Sequence, residues 1–149
     1  MAGSTMYAVK SALLTKLQAD STLSSVQVTY GDPLDAMRRE CIYMGDINSG
    51  IISPESFSTG RRRNVEEYTI DVEIYVQSKP AGQAEAEQRA LVLANAVEGV
   101  VATYPDLEGA VSQLLFIQCS GMSMSATEAG IDGTRIRLTV SIDVKARMQ

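Results

Sequence analysis

At 149 residues, with 45% hydrophobic and 21% charged side chains, the chain has the composition of one folded domain rather than of a disordered segment. Its net charge of -5 argues against gripping phosphate backbones, because that affinity comes from clustered Lys and Arg, although a local basic patch remains compatible with it. There is no histidine, which removes Ser-His-Asp and Cys-His nucleophilic sites, the usual zinc ligand sets and the commonest general acid/base; carboxylate chemistry stays open, so the enzyme reading is weakened and not closed.

Ser4 or Thr5 is placed to cap a first helix running to about Ala19. Met6, Val9, Leu13 and Leu17 recur at helical spacing, with Lys10 and Lys16 off that face. Val26 to Tyr30 alternates as a strand does, and Gly31-Asp32-Pro33 stops it. Glu40 to Ile47 reads as a second short strand. Asn48 to Asn64 reads as a loop, carrying Gly50, Pro54, Gly60 and the consecutive Arg61, Arg62 and Arg63; loops of this length are usually functional or mobile.

Val65 to Gln77 is a long strand, with Tyr68, Ile70, Val72, Ile74 and Val76 on one face. Glu67, Thr69, Asp71, Glu73 and Tyr75 occupy the other. A second helix is expected from about Gln83 to Tyr104, its apolar stripe made by Ala90, Leu93, Ala94, Val97, Val100, Val101 and Tyr104, with Pro105 ending it. Gln113 to Ala126 and Thr134 to Gln149 form a hairpin across a Gly130–Gly133 turn. In the last strand Ile136, Leu138, Val140, Ile142, Val144, Ala146 and Met148 face one way, and Arg135, Arg137, Lys145 and Arg147 the other.

This order predicts an α+β fold in residues 1–149, one domain: a mostly antiparallel sheet of about five strands with two helices on one face. If strands 65–77 and 134–149 are neighbours, acidic Glu67, Asp71 and Glu73 meet basic Arg135, Arg137, Lys145 and Arg147 across the polar face.

Arg61, Arg62 and Arg63 read either as a contact for an acidic partner or passing nucleic acid, or as a solvated loop tip; no glycine pattern makes them a phosphate cradle. Asp32, Asp35, Glu40 and Asp46 lack the spacing of a calcium loop, which favours turn and strand-end duties over a cation site. Ser120 to Ser125, with Met122 and Met124, reads as an adaptable contact edge or as ordinary packing. Cys41 and Cys119 lie in apolar stretches and are expected to be buried free thiols. Neither a signal peptide nor an apolar run of membrane-spanning length is visible, so a cytoplasmic site of synthesis and no membrane partner are expected.

Four features in order resemble the tail terminator (tail completion, tail-to-head joining) proteins of bacteriophages with long non-contractile tails. They are an amphipathic first helix with Ala12 to Leu17 leading into Val26 to Pro33, the strand Glu40 to Asp46, the arginine-rich entry Gly60 to Ile70, and an alanine-rich helix followed by a terminal hairpin. The resemblance spans nearly the whole chain and rests on pattern rather than on any single motif. It implies a structural, non-enzymatic virion protein, assembled in the host cytoplasm and placed at the head-proximal end of the tail. There it would form a ring, commonly a homohexamer, that stops tube polymerisation and offers a surface to the head-neck (stopper) protein. Its partners would be itself and the tail tube protein, and DNA would pass through the ring without specific binding. The 48–64 loop, with Arg61, Arg62 and Arg63, would reach the tube or neck. The exposed edge of the terminal strand would supply part of the subunit contact, with Arg135, Arg137, Lys145, Arg147, Glu67, Asp71 and Glu73 as interface candidates. No catalytic residue, metal or cofactor is assigned. Two rival readings are another neck, head-completion or tail-tube protein, and a small ligand-binding domain or enzyme.

Overall fold

Strict alternation over two long segments sets the centre of the molecule. In a computed structural model that describes residues 3–54, 64–78, 82–128 and 133–148, β3 (Asn64–Ser78) and β5 (Thr134–Arg147) pair antiparallel along their whole length, Val65 opposite Arg147 and Ser78 opposite Thr134. Their apolar residues fall in step: Ile70 faces Ile142, Val72 faces Val140 and Ile74 faces Leu138, all buried. Since side chains alternate with a period of two, any one-residue slip would turn this whole set to water, so the register is strongly specified.

Two helices cover that apolar face. Before β3 the chain runs through α1 (Met6–Ala19), a three-residue β1 (Gln27–Thr29) and β2 (Glu40–Pro54). After β3 come α2 (Gln83–Thr103) and β4 (Leu114–Glu128), which joins β5. In α2 the buried stripe is Ala86, Ala90, Leu93, Ala94, Val97, Val100 and Val101. Its three alanines let the helix backbone lie close to the sheet. Val9, Leu13 and Leu17 form the corresponding stripe of α1, and both stripes join the β-sheet residues in one hydrophobic cluster. Pro105 follows the α2 cap, where the Tyr104 amide donates to the Val100 carbonyl at 3.0 Å.

The sheet order is β1-β2-β3-β5-β4. All neighbours are antiparallel except β1 and β2, which run parallel with Gln27 opposite Cys41. The sheet is therefore mixed rather than purely antiparallel, because the link through the short 3-10 turn Leu34–Ala36 returns the chain to the starting end of β1 before β2 begins.

Three expectations need correction. The loop expected from Asn48 begins instead as strand: β2 continues to Pro54, and only residues 55–63 of that segment lie outside the described residues. Register breaks between Met44 and Ile47 and between Asn48 and Ile51 interrupt its alternation, and Ser49 sits at a left-handed φ of 57°. Bulges add residues that have no partner, so a strand containing them loses its period in the sequence. At the first break Gly45 lies against β3, where a Cβ would meet the Asp71 carbonyl oxygen at 3.0 Å and the Glu73 side chain at 3.2 Å.

The terminal strand is also not an edge. β5 lies between β3 and β4, and β4 is the outer strand. With apolar residues in phase over fourteen positions, β3 is the better partner for the second side of β5 than solvent. Finally, among the described residues the register sets opposite charges on β3 and β5 directly across from each other at one place, Glu67 and Lys145. Lys145 Nζ is 3.4 Å from Glu67 Oε1, an exposed pair worth about 0–1 kcal/mol. Asp71 faces Ser141, Glu73 faces Thr139, Arg137 faces Tyr75, Arg135 faces Gln77 and Arg147 faces Val65. The basic residues cluster at the two ends of β5, and the acidic ones sit nearer the middle of β3.

Candidate assembly surfaces

The distal half of β2 pairs with the proximal half of β3 to form an arm of the sheet beside the start of α1. Burial stops on its β2 side, where Ile51 and Ile52 are 62% and 61% exposed, while Val65 and Glu66 of β3 stay buried. Ile52 pairs with Glu66 and therefore lies on the helix-packed side, while Ile51 pairs with Glu67 on the polar side.

A buried polar anchor ties the base of this arm to α1. The Glu66 carboxylate, only 2% exposed, accepts from the Thr5 backbone N–H at 2.5 Å, from the Thr5 hydroxyl at 2.5 Å and from Ser4 Oγ at 3.3 Å. The Tyr68 hydroxyl completes the set 3.0 Å from Thr5 Oγ1. Thr5 is the N-cap position of α1, but its side chain makes no cap bond within the helix. The expected local cap is thus replaced by a carboxylate from β3, at the end of the helix where a negative charge is favourable. Sequence reasoning missed this residue, because Glu66 stands on the apolar face of β3 beside Tyr68 and only burial reveals its partners. Burial also pushes the Tyr68 hydroxyl up to about 12, opposed by its bond to Thr5 and reinforced by the charge of Glu66.

The opposite flank is the free side of β4. Met122 and Met124 pair with Val140 and Leu138, so they lie on the helix-packed side. Unlike their fully buried partners they are 46% and 42% exposed. Glu98 of α2 is close enough to Cys119 of β4 to raise its thiol pKa. Leu91 lies two turns earlier on that side of the helix and is also exposed. This exposure removes plain core packing as the account of Met122 and Met124.

The polar face between the two flanks is a hydroxyl and carboxylate network. Thr69 and Ser120 donate to Asp143 Oδ1 at 2.9 and 3.1 Å, Thr139 donates to Glu73 at 2.8 Å, and Asn48 donates to Asp71 at 3.0 Å. A shallow cleft of about 280 Å³ crosses this face at the arm base, lined by Ser49, Ile51, Thr69, Phe116, Asp143 and Lys145 among others. Its charged groups already have partners, Lys145 with Glu67 and Asp143 with the Thr69 and Ser120 hydroxyls, as befits a contact surface more than an acid–base centre.

The remaining candidates separate. Arg61, Arg62 and Arg63 lie outside the described residues. Asp32 accepts the Leu34 amide, Glu40 binds the Arg89 guanidinium through both oxygens, and Asp46 lies near Lys10. Asp32, Asp35, Glu40 and Asp46 do not form a cluster: among the described residues no group of three metal-ligating side chains forms. Lys10 is held between the Gly45 carbonyl, 3.0 Å away, and the Tyr30 ring, 4.4 Å from its centroid. Among the described residues no helix is long and apolar enough to cross a membrane.

Cys41 is buried, as expected, and Cys119 half-buried; both are free thiols. Burial pushes Cys41 up to about 11, with Asp32 adding to the rise and a bond from Thr29 opposing it. Burial and then Glu98 push Cys119 to about 11. A thiol whose folded pKa is raised supports the fold below its unfolded value and loses that support as pH climbs through the folded value. Stability is therefore expected to fall between pH 9.0 and about 11. Thiol titration with an aromatic disulfide at pH 8 should be slow for folded protein and fast in denaturant; rapid native reaction at both cysteines would contradict the burial.

No family model matches this chain, and no curated protein is similar to it at a significant level. Among solved structures, the chain is similar to a protein from the virion of a native gene transfer agent particle. The TM-score is 0.63 with 18% sequence identity, over 97% of this chain and 98% of the other. At that identity the likeness shows the fold.

Proposed function

We propose that the protein is a structural, non-enzymatic component of a phage-like virion. In the finer reading it forms a ring that caps the head-proximal end of a tail tube, halts tube growth and receives the neck protein. The observation that carries this is the arm of β2 and β3, built on a buried Glu66 anchor and presenting Ile51 and Ile52 to solvent. Firmly rooted arms with exposed aliphatic tips suit docking onto another protein, since exposed apolar patches mark such sites. The near end-to-end fold likeness to a gene transfer agent virion chain supports assembly with other virion proteins. On this reading the partners are further copies of the chain, a tail tube protein and a neck protein, with DNA passing through. On the same reading Arg61, Arg62 and Arg63 contact tube or neck. The charged residues of the polar face, including Arg135, Arg137, Lys145, Arg147, Glu67, Asp71 and Glu73, contribute by facial contacts, because their strands lie inside the sheet.

The test is light scattering of the purified protein across concentration, followed by imaging of mixtures with isolated tail tubes. A ring-sized species bound at one tube end is expected. Tubes that elongate unchecked in its presence would overturn the capping role. Replacing Arg61, Arg62 and Arg63 together by alanine is expected to leave the circular dichroism spectrum unchanged and to weaken tube or neck attachment. Unchanged attachment would remove those arginines from the contact.

A further inference from the structure

The helix-packed face of the sheet ends in exposed apolar side chains on both flanks, and at the same height. The row Met44, Val72, Val140 and Met122 crosses the sheet near the middle of β3. At one end of it lies β4, the outer strand, with Met122 and Met124 half-exposed. From Gly121 to Thr127 that strand contains no charged residue, so it lacks the lysines and inward charges with which soluble proteins usually guard an edge. α2 runs against β4: just past its end the Pro105 carbonyl accepts the Ile117 amide at 2.8 Å, and Glu98 acts on Cys119. Leu91 lies two turns, about 11 Å, before Glu98 along the helix, and Met122 lies three residues, about 10 Å, beyond Cys119 along the strand. Leu91, itself exposed, therefore stands at the height of Met122, with Glu87 and Glu98 one turn before and two turns after it on the same side of the helix.

The other end of the row is aromatic. Thr29 of β1 pairs with Tyr43, so Tyr30 comes next to Met44. Its ring is on the helix side, 4.4 Å from Lys10 Nζ of α1 and 6.0 Å from the Tyr7 ring. Lys10 also donates to the Gly45 carbonyl at 3.0 Å, which holds this cluster at the height of Met44. Tyr7 is 73% exposed.

We infer that the tyrosine flank of one copy docks on the methionine flank of the next, head to tail. This rests on the ring reading above and names its subunit contact. Copies related by rotation about an axis along β3 meet at equal heights, so Tyr7 and Tyr30 of one copy come against Leu91, Met122 and Met124 of the next. Thioether sulfur and aromatic rings attract one another, and aromatic residues and methionine are the types enriched in interface cores. Charge favours this pairing over a two-fold one. A two-fold contact of methionine flanks would set the Glu87 and Glu98 sides of two α2 helices against each other. The head-to-tail contact instead sets Glu98 towards Lys10, which then lies between Asp46 of its own chain and Glu98 of the next. Two different surfaces meet, which is what a closed ring or an open filament requires.

Charge reversal with rescue tests this. Lys10→Glu and Glu98→Lys are each expected to weaken association by about tenfold or more in light scattering, with unchanged circular dichroism spectra, because each sets like charges together across the contact. Mixing the two proteins, or joining both changes in one chain, is expected to restore association, since an alternating assembly and the double variant both pair opposite charges at every contact. Unchanged association in the single variants, or rescue in neither form, overturns the docking. Tyr7→Ala alters a side chain outside the core, so it reads the contact even where a reversed charge disturbs folding. Association weaker by about tenfold is expected there, as for an aromatic anchor. Wild-type association in that variant, or a wild-type protein monomeric at every concentration, overturns the proposal. The outcomes also separate the two readings: rings on tube ends that form equally well in all three variants sink this contact alone, and rescue that yields only open filaments keeps the contact and sinks the cap.

Discussion

Glu66→Ala is expected to destabilise the protein by about 1–3 kcal/mol, the cost of leaving buried donors without an acceptor. The side chain accepts from the Thr5 N–H, the Thr5 hydroxyl and Ser4 Oγ, and Thr5 is itself buried. Truncation strands the Thr5 amide at the start of α1 and removes the negative group facing that helix end. It also breaks the link through Thr5 to the Tyr68 hydroxyl. Urea unfolding measures the loss. Glu66→Gln keeps an acceptor oxygen and should recover part of it, whereas equal losses for both variants would show that charge matters more than the hydrogen bonds. Because Ile52 pairs with Glu66, hydrogen exchange in Ile51 to Ser53 should accelerate in the alanine variant. An arm whose exchange does not change is held by its strand pairing and not by this anchor.

Leu93→Ala is expected to cost about 2–5 kcal/mol, the range for truncating a fully buried leucine and leaving a cavity. Leu93 is wholly buried at the middle of the α2 stripe, within the one cluster that joins both helices to the sheet. Neighbouring alanines at 90 and 94 have no long side chains to swing into the space. Leu91→Ala is the control two positions away: its side chain is 42% exposed, so the stability change should stay well below that of Leu93→Ala. If Leu91→Ala instead weakens association while sparing the monomer's stability, Leu91 belongs to an assembly surface.

Much of the fold was readable from periodicity. The alternations of 65–77 and 134–149, and the helical stripes through Leu13 and Leu93, emerged as β3, β5, α1 and α2 with bounds shifted by one or two residues. These segments are regular, and a regular segment with one buried face writes its period into the sequence. The bulged half of β2 was not readable, since its breaks at Met44 and Asn48 erase the alternation and its serines and glycine imitate a loop. The exposed methionines of β4 were legible only by type. Met122 and Met124 stood out as adaptable side chains, but a methionine facing the apolar side of a strand looks the same whether a helix covers it or not.

By itself, then, the sequence determined the secondary elements, the α+β class with two helices on one face, and the absence of any histidine-based site. These follow from local patterns and composition, which do not depend on how distant segments meet. Tertiary structure alone decided that β5 lies inside the sheet and β4 at its edge, that Glu66 holds the start of α1, and that Ile51 and Phe116 end the same row on opposite flanks. Each of these depends on the choice of strand partners between segments far apart in the chain. That choice is made by the competing burial of several apolar faces at once, a property that no single stretch of residues carries.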